Sequence, residues 1–223
     1  IMLNSDLTAD FTVFKNAYSP SKVGAINAEY ISDQEQGISK NELLLTKWKI
    51  TLRKCLFLLN RGFQGGAIQM KSKFVPNYYS FLFPSQVSLT IIESKFIANS
   101  APFGAAIYLH SIHKVTINLT EFNSNACRKF SLSAAPTKGG ALFIFSKESN
   151  LLLSQNIFLR NRADIGGAIY WKGGFTLTEQ NISKSRNNFT NNTAFVHGPT
   201  YASSVKYLKF NYSEPQVLTP DVK

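Results

Sequence analysis

The 223-residue chain predicts an all-β solenoid, a right-handed parallel β-helix of about six coils with irregular loop insertions. Three observations point there. A bipartite motif, F-x-x-N and then G-G-A-I, recurs along the chain. Apolar residues occupy alternate positions before each motif Phe, the period of a strand with one buried face. The interval between copies varies while the motif does not, as expected for a coil of fixed cross-section carrying loops of different length.

The clearest copies are Phe57–Asn60 with Gly65-Gly66-Ala67-Ile68, Phe96–Asn99 with Gly104-Ala105-Ala106-Ile107, and Phe158–Asn161 with Gly166-Gly167-Ala168-Ile169. A longer gap separates Phe122–Asn125 from Gly139-Gly140-Ala141-Leu142. Two weaker copies flank these, Val13–Asn16 with Val23-Gly24-Ala25-Ile26, and Phe189–Asn192 with His197-Gly198-Pro199. The Asn anchors 16, 60, 99, 125, 161 and 192 are separated by 44, 39, 26, 36 and 31 residues. Propellers and leucine-rich repeats keep steadier periods.

The strand before the motif reads Trp48-x-Ile50-x-Leu52, Val87-x-Leu89-x-Ile91, Val115-x-Ile117-x-Leu119 and Leu151-x-Leu153 in successive copies. After the glycines a second strand alternates. Ile68/Met70, Ile107/Leu109, Leu142/Ile144 and Ile169/Trp171 form the inward face. Tyr108, Phe143 and Tyr170, with Tyr201 in the last copy, form an outward aromatic row. The glycine pair suits a corner where backbones approach too closely for a Cβ. Each unit thus predicts two strands and a corner. Leu3–Phe14 is the least regular stretch and reads as a terminal cap. The segments Glu29–Lys40, Lys71–Pro84 and Arg128–Thr137 read as projecting loops. Residues 1–206 form one domain in this reading, and the Pro-containing segment 207–223 a polar tail or linker.

Composition narrows the function. Hydrophobic content of 44% with 17% charged residues suits a folded chain. The formal charge of +11 favours acidic partners such as anionic glycans. The basic residues are scattered, without the block or stripe of a nucleic-acid reader, so no nucleic acid is expected. No apolar run reaches the roughly 18 residues of a membrane helix, and no signal peptide is visible at Ile1–Asn4. Cys55 and Cys127 fall two repeats apart, beyond disulfide reach for rungs spaced about 4.8 Å, so they are not expected to pair. Three dispersed histidines and no C-x-x-C offer no metal site, and no cofactor is expected.

Asn16, Asn60, Asn99, Asn125, Asn161 and Asn192 read as an internal ladder whose amides bond from coil to coil. The preceding Phe column reads as stacked buried rings. Tyr108, Phe143, Tyr170 and Tyr201 are candidate contacts for a sugar or a partner protein. The 13 acidic residues are dispersed, whereas β-helix polysaccharide enzymes need neighbouring carboxylates. No catalytic residue is assigned, and a lyase or hydrolase is the weakest reading. N-x-S/T acceptors stand at Asn118, Asn181, Asn188, Asn191 and Asn211. Strand alternation places Asn118, Asn188 and Asn191 on the outside.

The pairing of G-G-A-I with F-x-x-N, from about Val13 to Tyr201, resembles the repeats of chlamydial polymorphic membrane proteins. It is also similar to large β-helical surface proteins of ciliates and other protists, of the pectin-lyase-like class. The resemblance implies a secreted or membrane-anchored surface protein with an adhesive or structural role, and transfers no catalytic residue. The sequons and the lysine- and asparagine-rich composition favour the protist type.

The expectation is therefore an extracellular or cell-surface glycoprotein carrying N-linked glycans, structural or adhesive and not an enzyme. Self-association or contact with other surface proteins follows from the open strand edges of a β-helix, which invite end-to-end stacking into a stalk or filament. The alternative is a carbohydrate-binding module using the aromatic row.

Overall fold

A computed structural model describes residues 2–3, 6–31, 48–73, 87–129, 135–146, 150–173 and 185–203. Regular structure there is all β, in four sheets of parallel strands. The expected parallel β-helix is what forms. The chain visits the sheets in a fixed cycle, and each circuit lays one strand against its counterpart from the circuit before. Most of the expected loops, and the 207–223 tail, lie outside the described residues.

Sheet A stacks Met2–Leu3, Ile26–Ile31, Ile68–Lys73, Ile107–His110, Leu142–Phe145, Ile169–Lys172 and Tyr201–Ser203. Sheet B stacks Leu7–Asp10, Lys49–Arg53, Ser88–Ile92, Lys114–Asn118 and Asn150–Ser154. Sheet C runs from Val13–Lys15 through Leu56–Leu58, Lys95–Ile97, Glu121–Asn123 and Ile157–Leu159 to Asn188–Thr190. Sheet D holds Ser100–Ala101, Ala126–Cys127, Arg162–Ile165 and Thr193–His197. A coil therefore has up to four short strands where the apolar pattern predicted two. The strands of sheet C are three residues and those of sheet D two to five, too short or too uneven to show a period, so these sheets left only their Phe and Asn columns in the sequence.

Register is held residue for residue. Ile107 pairs with Ile68 and Leu142, and Ile117 with Ile91 and Leu153. The inward aliphatics are buried as expected, including Ile68, Met70, Leu109, Ile144 and Trp171. The Phe column is one continuous stack, Phe14–Phe57–Phe96–Phe122–Phe158–Phe189, with centroids 4.6–5.0 Å apart and rings within 13° of parallel. Each such pair adds about 0.5–1.5 kcal/mol beyond the area it buries. The spacing is that of strands in a parallel sheet, so the backbone ladder itself sets the ring separation.

Two corners turn through left-handed backbone at non-glycine residues. Between sheets B and C these are Phe11, Lys54, Glu93, Leu119, Gln155 and Arg186; between C and D they are Asn16, Leu59, Ala98, Ser124, Arg160 and Asn191, all at φ of 50–56°. Such a residue costs roughly 1–2 kcal/mol relative to right-handed backbone. Leu119 is thus a corner residue and largely exposed, not the inward third member of Val115-x-Ile117-x-Leu119.

What holds each corner is a ladder immediately following it. Asn60, Asn99, Asn125 and Asn161 are fully buried. Each backbone N–H and side-chain amide donates to the Oδ1 of the next Asn, ending on Asn192, at 2.9–3.1 Å. Each Nδ2 also donates to the carbonyl of a Phe in the preceding coil, as Asn125 does to Phe96. The first copy departs from the expected ladder. Asn16 sits on the left-handed corner, exposed, and Ala17 occupies the ladder position, its N–H donating to Asn60 Oδ1 at 3.1 Å. That copy is Phe14-x-x-Ala17, one residue out of frame with Val13–Asn16. Nor is Leu3–Phe14 an irregular cap: Leu7 pairs with Ile50 and Val13 with Leu56, as in any other rung.

A second ladder at the other corner went unread in the sequence. Cys55 N–H donates to Ser94 Oγ, Ser94 N–H to Thr120 Oγ1, Thr120 N–H to Asn156 Oδ1 and Asn156 N–H to Asn187 Oδ1. Its signal was a hydrogen-bonding side chain two residues before every motif Phe, hidden because Cys, Ser, Thr and Asn share the role.

At the third corner the two motif glycines answer to different demands. Gly139 has φ 71°, and a Cβ on Gly140 would lie 1.9 Å from the Gly167 carbonyl oxygen. The first permits the turn and the second lets adjacent coils touch.

Candidate interaction surface

The outer face of sheet A was the predicted contact surface, and the structure largely closes it. Tyr108, Phe143 and Tyr170 are in register and stacked, with centroids 4.9 and 5.3 Å apart. They are only 8%, 9% and 3% exposed. Phe103, Phe145 and Ile165 pack around them, and Phe103 meets Phe143 edge-on at 5.8 Å. A sugar stacks on the face of a ring. Here the ring faces along the helix axis are taken by each other, which corrects the expectation of an open aromatic stripe. Tyr201 is not in this row. It pairs with Ile169 and packs against the main core beside Trp171, while Ala202 takes the outward place beside Tyr170. The spacing is unchanged, Gly198-Pro199-Thr200 matching Gly166-Gly167-Ala168, so Tyr201 stands at the Ile position of the motif and Ala202 at the Tyr position.

A basic rim surrounds the row. Lys71 Nζ lies 5.7 Å from the Tyr108 ring centroid, Lys138 Nζ 5.0 Å from Tyr170 and Lys172 Nζ 5.5 Å from Phe145. His110 packs against Phe145 with ring centroids 4.6 Å apart, tilted at 50°. Burial, and then the Lys71 charge, hold the His110 imidazolium below the ordinary range against a weaker opposing hydrogen bond from Ser72. Burial raises the Tyr108 and Tyr170 phenols.

Among the other described surfaces, a shallow cleft of about 290 Å³ lies along the B–C corner, lined by Asp10, Phe11, Arg53, Lys54, Ile92 and Glu93. Lys54 there pairs with Glu93 at 3.6 Å and covers Phe11. Two carboxylates, Asp10 and Glu93, are in its lining, the second paired with Lys54. No group of three His, Cys, Asp or Glu side chains that could hold a metal occurs among the described residues. Asp164, isolated in the sequence, closes a loop. Thr137 N–H donates to its Oδ2 at 2.8 Å, its own N–H donates to Thr137 Oγ1, and Lys129 stands 3.9 Å away.

Both cysteines are free thiols. They lie at different corners, Cys55 in the second ladder and Cys127 in sheet D against the Gly139 carbonyl. Burial pushes the Cys127 thiol up to about 12.

The acceptor asparagines divide. Asn188 and Asn191 are exposed on the last described coil, and Thr190 Oγ1 donates to Asn188 Oδ1 at 3.0 Å. Asn118 is half-buried, its Oδ1 enclosed without a partner, and its sequon Thr120 is buried in the second ladder. Asn181 and Asn211 lie outside the described residues.

Comparison with known proteins finds a relative but shows no family. No family model matches, and no solved structure matches. A transmembrane domain-containing protein of Dictyostelium discoideum is similar, 32% identical over 146 residues, which is 58% of this chain and 9% of that protein. The chain spans less than a tenth of its relative. No helix among the described residues is long and apolar enough to cross a membrane.

Proposed function

We propose that this chain is a non-catalytic, rigid β-helical scaffold of a secreted or cell-surface glycoprotein, with a structural or adhesive role. The observation that carries the reading is the continuity of its internal columns. Six stacked Phe rings and the Asn ladder run from the first described coil to the last, and the second ladder runs from Cys55 to Asn187. Such a rod transmits load along its axis through every strand, and its side chains are spent on rigidity. Asn188 and Asn191, exposed on one coil, supply glycan sites on its flank. The Dictyostelium relative is far longer and is described as containing a transmembrane domain, which suits a segment held at a cell surface. End-to-end contact with further β-coils would build a stalk.

Intact mass before and after enzymatic glycan release, on chain secreted from a eukaryotic host, tests the reading. Two glycans lost together in the double variant Asn188→Gln/Asn191→Gln are expected, with Asn118 unmodified. Secreted chain of unglycosylated mass would overturn it.

A further inference from the structure

Arginine is dispersed along the sequence but gathered by the fold. All six arginines are among the described residues. Four of them, Arg61, Arg128, Arg160 and Arg162, are exposed along sheet D or at the corner that leads into it. Of the six described carboxylates only Asp164 belongs to sheet D, and Thr137 and Lys129 already hold it. Among the described residues no carboxylate pairs with Arg128, Arg160 or Arg162. The adjoining residues 130–134 carry no charged side chain.

Arg160 and Arg162 flank the buried ladder residue Asn161, and both leave the coil outward. The backbone beneath them is fixed. Arg160 N–H donates to the Thr190 carbonyl at 3.0 Å and Arg162 N–H to the Asn125 carbonyl at 2.9 Å. The Arg162 guanidinium lies over the Phe195 ring, 4.3 Å from its centroid. A ring against one face of a guanidinium leaves its N–H edge for an acceptor in the plane. Arg128 stands in the neighbouring coil, two residues beyond Ala126, which pairs with Arg162. The fold does not demand arginine at these places. Asn16, Leu59, Ala98, Ser124 and Asn191 turn the same corner as Arg160, and Ser100, Ala126 and Thr193 share the column of Arg162.

We infer that this cluster binds an acidic polysaccharide, whose carboxylate or sulfate groups are held by Arg160, Arg162 and Arg128. The planar fork of a guanidinium matches two oxygens of such a group. Each ion pair in water is weak by itself, so the partner is a chain that engages several arginines at once. Choosing polysaccharide over nucleic acid rests on the cell-surface reading. Glycan mass tests that reading, whereas the cluster is tested by binding.

Labelled dextran sulfate and alginate are the probes, with neutral dextran as the uncharged comparison, at about 0.15 M salt so that diffuse attraction is screened. A glycan on Asn191 would border Arg160, so the full chain is used both as secreted and as Asn188→Gln/Asn191→Gln, and the second form decides where the two differ. Arg160→Gln/Arg162→Gln should weaken binding of an acidic polymer by about tenfold or more. Lys49→Gln/Lys114→Gln removes the same charge from exposed positions on sheet B and should change binding by less than about twofold. If the arginine-to-glutamine pair melts more than about 2 °C below wild type, Arg160→Lys/Arg162→Lys replaces it. That pair keeps the charge and loses the fork, and a loss of about threefold or more is then expected. The acidic polymer bound more tightly tells sulfate from carboxylate. Absence of binding by wild type, equal binding of neutral dextran, losses no greater than those of the lysine control, or tighter binding of an oligothymidylate of matched charge, overturns the inference. Unchanged binding by Arg160→Lys/Arg162→Lys, where that pair is the one used, does the same.

Discussion

The side-chain oxygen of Asn125 accepts two hydrogen bonds from Asn99, one from its backbone and one from its amide, each at 3.0 Å. One atom thereby ties a corner of one coil to a corner of the next. It does so in a fully buried place where water cannot substitute.

Removing that atom should be costly. Asn125→Ala leaves the Asn99 N–H, the Asn99 amide and the Phe96 carbonyl without their partner. At about 1–3 kcal/mol for each buried group left unmade, a loss of about 3–5 kcal/mol is expected in urea unfolding. Asn16→Ala, at an exposed corner, should cost about 1 kcal/mol or less, because Asn tolerates left-handed backbone only slightly better than Ala. Equal losses would show that the ladder frame is wrong.

The glycine corner makes a sharper contrast. Gly140→Ala would push a methyl group to 1.9 Å from the Gly167 carbonyl, backbone against backbone. Failure to fold, read as absent native circular dichroism, is the expected outcome. Ala105→Gly, where this chain already accepts a methyl group at the equivalent corner position, should lower stability by no more than about 1 kcal/mol.

Replacing Tyr170 by Ala separates packing from recognition. The ring is 3% exposed and sandwiched between Phe143 and Ala202. A stability loss of about 3–5 kcal/mol is expected, in the range for a buried aromatic truncated to Ala. Tyr170→Phe keeps the stack and should melt within about 2 °C of wild type. Loss of binding to acidic oligosaccharides by Tyr170→Phe, with the melt unchanged, would reinstate the aromatic row as a contact site.

His110 gives stability a pH dependence of defined sign. Its folded value lies below 6.5, so below that pH the unfolded chain binds the extra proton. Stability should fall as pH drops through 6.5 and level off once pH is below the folded value. His110→Gln should flatten this slope relative to wild type in melts between pH 8 and about 4.5. A slope unchanged by the substitution would place the titrating group elsewhere.

Periodicity in the chain sufficed for the class of fold, the inward aliphatic face, the Phe stack and five of the six expected ladder asparagines. These are repeated demands of one cross-section, so every coil restates them and chance resemblance averages out. The exceptions, Asn16 and Tyr201, fall in the two weakest copies, where Ala17 stands in place of the ladder Asn and Tyr201 in place of the motif Ile, so a matching residue type one position away misdirects the alignment. The Cys55–Ser94–Thr120–Asn156–Asn187 ladder escaped notice because hydrogen-bonding capacity, not residue identity, is what repeats. Only the folded coil decided whether the aromatic row was surface. Alternation along a strand says which side Tyr108, Phe143 and Tyr170 leave from; what covers that side depends on Phe103 and Ile165, which reach it around the corner from the neighbouring sheet.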